Sequence, residues 1–315
     1  MKISPAESAD FSRSVLAVPP LALTPSYALN EAANQAIVTH IEAGGVTTLL
    51  YGGNANLQNF PASQFAEFLA LIEAVAGPQS WVIPSIGPDY GKLVDMARIL
   101  RDFSFPCAMI LPLIAPKTQS GIASGISAAA DLSGKPSILY LKEQDYLAPD
   151  ILGRLVDRGE LCGIKYAVPR ADPRDDPYLD AILQEVERGI IVSGFGEPPA
   201  IPHLQHFGLA GFTAGSVCLA PRRSMRILEA LKSGEFDLAT RLTNPIQPFE
   251  ALREVHSPIR VLHEAMRLAG IADTGPLMPL LSNIEPAYYD AITEAAKKLL
   301  AGEEELEGFG VMAAE

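Results

Sequence analysis

Lys165 is the residue of this chain whose surroundings most suggest chemistry. It lies in Leu161-Cys162-Gly163-Ile164-Lys165-Tyr166-Ala167-Val168, an apolar run that reads as a buried β-strand. Side chains alternate faces along a strand, so Leu161, Gly163 and Lys165 share one side and Cys162, Ile164 and Tyr166 the other. A lysine in such a run is costly to bury as a cation, and desolvation lowers its pKa. A neutral amine at physiological pH is a nucleophile able to form a Schiff base with a ketone. The same eight residues also suit a strand-end lysine whose stem packs while its head reaches water.

Other groups could serve such an amine. Tyr140 falls near the end of Ser137-Ile138-Leu139-Tyr140-Leu141-Lys142, another apolar run. A phenol beside the amine would hydrogen-bond a carbinolamine and carry protons for it; a core tyrosine with a satisfied hydroxyl is the alternative. Gly52-Gly53-Asn54-Ala55-Asn56 is a turn whose glycines let the backbone approach a ligand and whose N–H groups can form an anion-binding nest. Ser193-Gly194-Phe195-Gly196-Glu197 and Gly211-Phe212-Thr213-Ala214-Gly215-Ser216 offer further close approaches, through Gly194 and Thr213. His203 and His206, three apart, have one spacing of a metal-binding face but lack a strong third ligand, so surface histidines are expected and no metal. Lys117, Arg222 and Arg223 are read as solvated surface charge. His263-Glu264 belongs to no zinc motif, and no Ser/His/Asp order or P-loop occurs.

These residues need a frame, and the chain alternates strand and helix to supply one. Strands are expected over 14–23, 46–51, 81–86, 107–111, 137–142, 162–167, 190–193 and 211–214. The helices between them are expected over 30–43, 64–76, 91–102, 119–132, 149–158, 177–188, 199–207 and 221–232. Short apolar strands rich in β-branched residues are typical of buried parallel sheets. Eight such units are the number that closes a (β/α)₈ TIM barrel, whose active site lies at the C-terminal ends of its strands. An open doubly wound sheet is the alternative, but no GxGxxG turn follows the first strand. The barrel with its N-terminal arm is assigned to residues 1–233. A C-terminal helical extension packed on the barrel takes 234–315, with helices over 236–255, 258–269 and 286–301. Residues 1–13 read as a frayed or surface-lying arm, and the tail from Gly302 is read as mobile and receives no role.

With 315 residues and 48% apolar content the chain can bury a large core. A net charge of −13 without a basic stripe disfavours nucleic acid and anionic membrane as partners. No apolar run approaches a membrane span, and Met1 to Arg13 lacks the order of a signal peptide. Cys107, Cys162 and Cys218 have no zinc-like spacing, which suits a reduced cytoplasmic protein.

Taken together, the glycine turn after the second strand, the tyrosine of Ile138-Leu139-Tyr140, Gly163-Ile164-Lys165 on the sixth, Ser193-Gly194 and Gly211-Phe212-Thr213 carry a resemblance. The chain resembles the dihydrodipicolinate synthase / N-acetylneuraminate lyase family of Schiff-base-forming class I aldolases. The likeness runs from about Leu16 to Ile284 and includes Ser257-Pro258-Ile259-Arg260 and Gly275-Pro276-Leu277-Met278-Pro279-Leu280. It implies a (β/α)₈ barrel with a C-terminal helical extension, a homo-oligomer (tetramer or dimer), and a pyruvate-type 2-oxo acid as substrate. It implies Lys165 as the Schiff-base lysine and Tyr140 as the proton-shuttling tyrosine. Three features depart from the synthase. The family's Gly-Thr-Thr-Gly-Glu-like turn is here Tyr51-Gly52-Gly53-Asn54-Ala55, with both hydroxyls gone. The synthase's Tyr-Tyr pair after strand four is replaced by Leu113 and Ile114. Its arginine in the loop after strand five falls near Asp145, with Lys142 expected as a partial substitute.

The expected function is a lyase, aldolase or dehydratase, acting on a pyruvate-type or sugar-derived 2-oxo acid. Lys165 forms the imine, Tyr140 moves protons, and Gly52, Gly53, Asn54, Gly194 and Thr213 bind substrate, with no cofactor required. Synthase-like condensation is one alternative; a binding or regulatory member without turnover is another.

Overall fold

The computed structural model describes residues 1–114 and 116–312. Eight parallel strands form a ring: β1 Leu16–Ala17, β2 Thr48–Leu50, β3 in two segments Trp81–Ile83 and Ser85–Ile86, β4 Ala108–Ile110, β5 Ser137–Leu141, β6 Leu161–Tyr166, β7 Ile191–Ser193 and β8 Gly211–Ala214. Each pairs with its sequence neighbour, and β1 pairs with β8. The ring closes through β3. Its first segment pairs with β2 and its second with β4, and Pro84 lies between them. A proline has no N–H for the ladder, but its carbonyl still accepts from the Met109 N–H at 2.8 Å.

The strands are shorter than the apolar runs that encode them. The run over 14–23 yields only Leu16–Ala17, because Pro19 and Pro20 cannot donate. Helices follow the expected order with small shifts, set by caps. Asn30, Asp89, Thr118 and Asp176 each accept a backbone N–H from the first turn of the following helix.

Register fixes which side chains fill the barrel. Lys165 lies between Tyr140 on β5 and Val192 on β7, and Leu16 lies between Thr48 and Thr213. Gly163 shares the face of Lys165. A Cβ on Gly163 would lie 2.5 Å from the Phe11 ring, so this glycine is the hollow into which Phe11 fits.

Phe11 belongs to the N-terminal arm, which is neither frayed nor lying on the surface. It forms the helix Ser8–Arg13, and Phe11 is fully buried with its ring edge-on to Trp81 at 5.1 Å. Lys2 pairs with the buried Asp10, and its backbone N–H donates to the Ser80 carbonyl at 2.8 Å. The arm closes the floor of the barrel, the end opposite the strand C-termini.

The C-terminal extension also differs from its expected outline. The helix expected over 236–255 divides into Phe236–Thr243 and Gln247–His256, joined by a tight turn at Asn244–Ile246 that contains Pro245. Pro258–Leu268 follows, and the last helix runs Tyr289–Met312 where a tail was expected from Gly302. Residues 313–315 of that tail lie outside the described residues. Glu303 on this helix is buried, and its carboxylate accepts the backbone N–H groups of Arg222 and Arg223 at 2.7 and 2.9 Å. It thereby caps the helix Pro221–Lys232, whose first N–H groups have no intrahelical partner. Arg223, read as surface charge, is buried, with its guanidinium on the carbonyls of Leu242 and Gly302.

Phe11→Ala should cost roughly 3–5 kcal/mol, the usual range for removing a buried phenylalanine. Urea denaturation measures this, and a loss below about 0.5 kcal/mol would return the arm to the surface.

Candidate active site

The C-terminal mouth of the barrel holds one amine and one phenol in contact. Tyr140 and Lys165 are register partners on β5 and β6, so both point inward from the same level. Lys165 is 5% exposed, and its Nζ lies 4.4 Å from the centroid of the Tyr140 ring. Burial pushes its pKa down to about 7, and the positive charges of Lys142 and Arg253 push the same way. Burial pushes the Tyr140 phenol up to about 12, so it stays protonated at neutral pH. Its hydroxyl makes no hydrogen bond to any described residue and is free to donate to a ligand.

Gly194 makes room for this lysine. A Cβ there would lie 3.1 Å from Lys165 Cγ and 2.8 Å from Ala167 Cβ. Its N–H donates to the Tyr166 carbonyl at 2.7 Å. The close approach expected for Gly194 is therefore to the lysine stem, and its N–H is not offered to substrate. Thr213 is buried on β8, on the inward face, and its hydroxyl has no partner among the described residues.

The glycine turn follows β2. A Cβ on Gly52 would press on Met109 Cε at 2.8 Å and Ser85 Oγ at 3.3 Å, whereas one on Gly53 would meet nothing. Ser85 donates its hydroxyl to the Tyr51 carbonyl at 2.6 Å and pins the start of the turn. The backbone N–H groups of Gly52, Gly53, Asn54 and Ala55 find no acceptor among the described residues, although Asn56 and Leu57 donate back to Gly53 and Gly52. The turn thus presents a run of free donors, as an anion nest does. The Asn54 side chain is not one of them. Its Nδ2 donates to the Val18 carbonyl at 2.8 Å, so the residue ties the turn to β1 and contributes its backbone N–H alone. Asn56, left-handed at φ 54°, donates to the Met278 carbonyl at 3.3 Å and anchors the Gly275–Leu280 segment above the mouth.

Several residues sit otherwise than their types suggested. His203 is buried, not a surface residue. Its Nδ1 lies 2.9 Å from Ser193 Oγ, and burial pushes its pKa down to about 4, while His206 is exposed. No group of His, Cys, Asp and Glu among the described residues could hold a metal ion. Lys117 pairs with Glu143 at 2.5 Å. Ile114 is exposed, and the Leu113 N–H donates to Tyr146 Oη at 3.2 Å. Asp145 is exposed at φ 57° and accepts from the Gln144 side chain.

Two groups were missed. Glu197 is fully buried and accepts hydroxyls from Ser216 at 2.6 Å and Ser224 at 2.7 Å; burial raises its pKa, as does Glu250. Arg253 reaches the mouth from the helix Gln247–His256. Arg253 has no sequence signal, since it is one charged residue among several in its helix, while Glu197 is the one charged residue of its helix and only the fold shows that it is buried.

The family model for the dihydrodipicolinate synthetase family matches residues 15–299. Solved structures with the same fold include dihydrodipicolinate synthase from Oceanobacillus iheyensis (TM-score 0.79, 21% identity, covering 92% of this chain and 98% of that one). Dihydrodipicolinate synthase from Agrobacterium tumefaciens is similar at TM-score 0.80 and 16% identity, over 93% of this chain and 100% of that one. N-acetylneuraminate lyase from Fusobacterium nucleatum is similar at TM-score 0.76 and 17% identity, over 92% and 99%. No curated protein sequence matches. No helix among the described residues is long and apolar enough to cross a membrane.

NMR of protein carrying ¹³Cε-lysine should show the Lys165 signal titrating near pH 7, against about 10.4 for a solvated lysine. In Lys142→Met the inflection should move upward, because one repelling charge is gone. A Lys165 inflection above about 10 would remove the basis for a neutral nucleophile.

Proposed function

Because this chain belongs to the dihydrodipicolinate synthetase family, we propose that it is a Schiff-base-forming lyase, an aldolase or dehydratase, acting on a 2-oxo acid. The observation that carries the reading is the buried Lys165 amine, lowered to about 7, against the Tyr140 ring. A lysine ammonium cannot attack a carbonyl; a neutral amine can. Around pH 7 roughly half of Lys165 is neutral, so the nucleophile is present without a separate base.

The neutral Nζ adds to the C2 carbonyl of the substrate and gives a carbinolamine. The Tyr140 hydroxyl, still protonated, donates toward the departing oxygen, and water leaves as the C=N bond forms. The resulting iminium withdraws electrons from C3. Loss of a C3 proton, or cleavage of the C3–C4 bond, then gives an enamine, and expulsion of a C4 hydroxyl from that enamine would be the dehydratase outcome. The substrate carboxylate suits the N–H groups of Gly52, Gly53, Asn54 and Ala55, which have no acceptor of their own. Thr213 offers an unpaired hydroxyl on the inward face of β8 for a substrate oxygen.

Synthase-like condensation would follow if a second carbonyl compound captured the enamine, and a binding-only member would stop before the imine. The binding-only member is separated from both Schiff-base readings by one experiment. Incubation with pyruvate or another 2-oxo acid and borohydride should add the reduced acid irreversibly to Lys165, read by peptide mass. Trapping should quicken as pH rises through about 7, as the amine loses its proton. Complete absence of adducts across a panel of 2-oxo acids would sink the proposal. Tyr140→Phe should lower turnover about 10²-fold or more while changing stability by less than about 1 kcal/mol. Equal turnover in that variant would take Tyr140 out of the mechanism.

A further inference from the structure

Two neighbouring strands end beside glycines whose missing side chain leaves room for part of a basic residue. After β7, a Cβ on Gly194 would lie 3.1 Å from Lys165 Cγ. After β8, a Cβ on Gly215 would lie 2.5 Å from Arg253 Nη2 and 2.7 Å from its Cζ. The guanidinium therefore lies flat against the end of β8, one strand further round the mouth from the lysine's own gap.

Arg253 is held there firmly. Its side chain is only 9% exposed. Its Nη1 donates to both carboxylate oxygens of Glu250, at 2.7 and 2.8 Å, and its Nε to the Pro258 carbonyl at 3.2 Å. The backing strand end is fixed as well, since Ser216 donates to the buried Glu197. Nη2 makes no hydrogen bond to any described residue. A buried guanidinium restrained on one side, with a free edge on the other, is pre-organised to receive a carboxylate.

Lys142 is a second cation at the mouth. It stands just past the end of β5, two residues beyond Tyr140, is exposed, and forms no ion pair among the described residues. Lys142 and Arg253 both act on the charge of Lys165, and none of the causes acting on that lysine is an offsetting carboxylate. A substrate bound to Lys165 lies within the same field. A monoanion such as pyruvate would spend its one carboxylate on the glycine turn and leave the free Nη2 edge of Arg253 without an acceptor.

We propose that Arg253 is a specificity-determining residue that binds a second carboxylate of the substrate, so that the preferred substrates are dicarboxylic 2-oxo acids. The inference rests on the Schiff-base reading of Lys165, and the test separates the two. Borohydride trapping at Lys165 is followed as a function of concentration for pyruvate, 2-oxobutyrate, 2-oxoglutarate and 2-oxoadipate. The wild-type chain should half-saturate with a dicarboxylic acid at a concentration at least about tenfold below that for either monocarboxylic acid. In Arg253→Leu that ratio should fall to about one. In Gly215→Ala, where the new methyl displaces the guanidinium but keeps its charge in the protein, it should also fall. Gly215→Ala decides the matter if Arg253→Leu does not fold. If Arg253 acted only by repelling a proton from Lys165, removing it would change trapping of all four acids together and leave the ratio unaltered, which overturns the inference. Adducts with the monocarboxylic acids but no dicarboxylate preference in the wild type overturn it while leaving the Schiff-base reading intact. No adduct with any of the acids overturns both.

Discussion

The desolvation of one amine is the constraint on which the mouth of this barrel depends. A lysine at 5% exposure does not keep its proton at neutral pH as readily as a solvated one, because the apolar surroundings stabilise its charged form poorly. Most of what surrounds Lys165 serves that condition. Strands on either side place Tyr140 and Val192 at its level. Phe11 fills the space beneath it, on the Gly163 hollow. Gly194 leaves a slot for the stem. The two nearby cations depress the amine further without touching it. Stability runs against this arrangement below the pKa of an ordinary lysine, because the unfolded chain holds the proton more tightly than the folded one. That opposition eases as pH rises from about 7 toward 10.4, where the two states come to bind the same number of protons.

Much of this was legible in the chain itself. The alternation of apolar runs and helix caps predicts eight units, and the eight units predict a barrel. Lys165 and Tyr140 are visible because each is a polar group inside an apolar run, the kind of local inconsistency that marks a site. What could not be read was long-range. Phe11 lies in a polar-looking arm, and only the folded chain brings it to Gly163, 152 positions away in sequence. Asn54 has the right type and place to bind a carboxylate, yet its amide is already committed to Val18. Gly194 reads in sequence as a place for backbone contact with substrate, but what its missing side chain admits is the Lys165 stem, and its N–H is held by the Tyr166 carbonyl. His203 carries the composition of a surface histidine but is turned inward by a wider helical turn over His203–Phe207.

The C-terminal helices are less an appendix than the second half of the mouth. Their sequence pattern announces amphipathic helices and nothing more. Folded, they supply Arg253 to the end of β8, and the segment between the last two supplies the Met278 carbonyl to Asn56. Ser257, Pro258 and Arg260 look like a motif but act structurally: Ser257 caps the helix Pro258–Leu268, and Arg260 ties that helix to the carbonyls of Ser282 and Asn283. The Lys165–Tyr140 pair and the Arg253 guanidinium thus come from different parts of the chain, the barrel strands and the C-terminal helices.

The cap that Glu303 provides has a consequence for how the protein is made. The helix Pro221–Lys232 completes the eighth unit, but the carboxylate over its first turn comes from about 80 residues later. A chain emerging from the ribosome has all its strands long before it has that cap, and it has Lys165 before it has Arg253. During that interval the nascent barrel would carry Lys165 with the end of β8 uncovered and the helix Pro221–Lys232 uncapped. The helix of the eighth unit is therefore completed only when the last helix arrives.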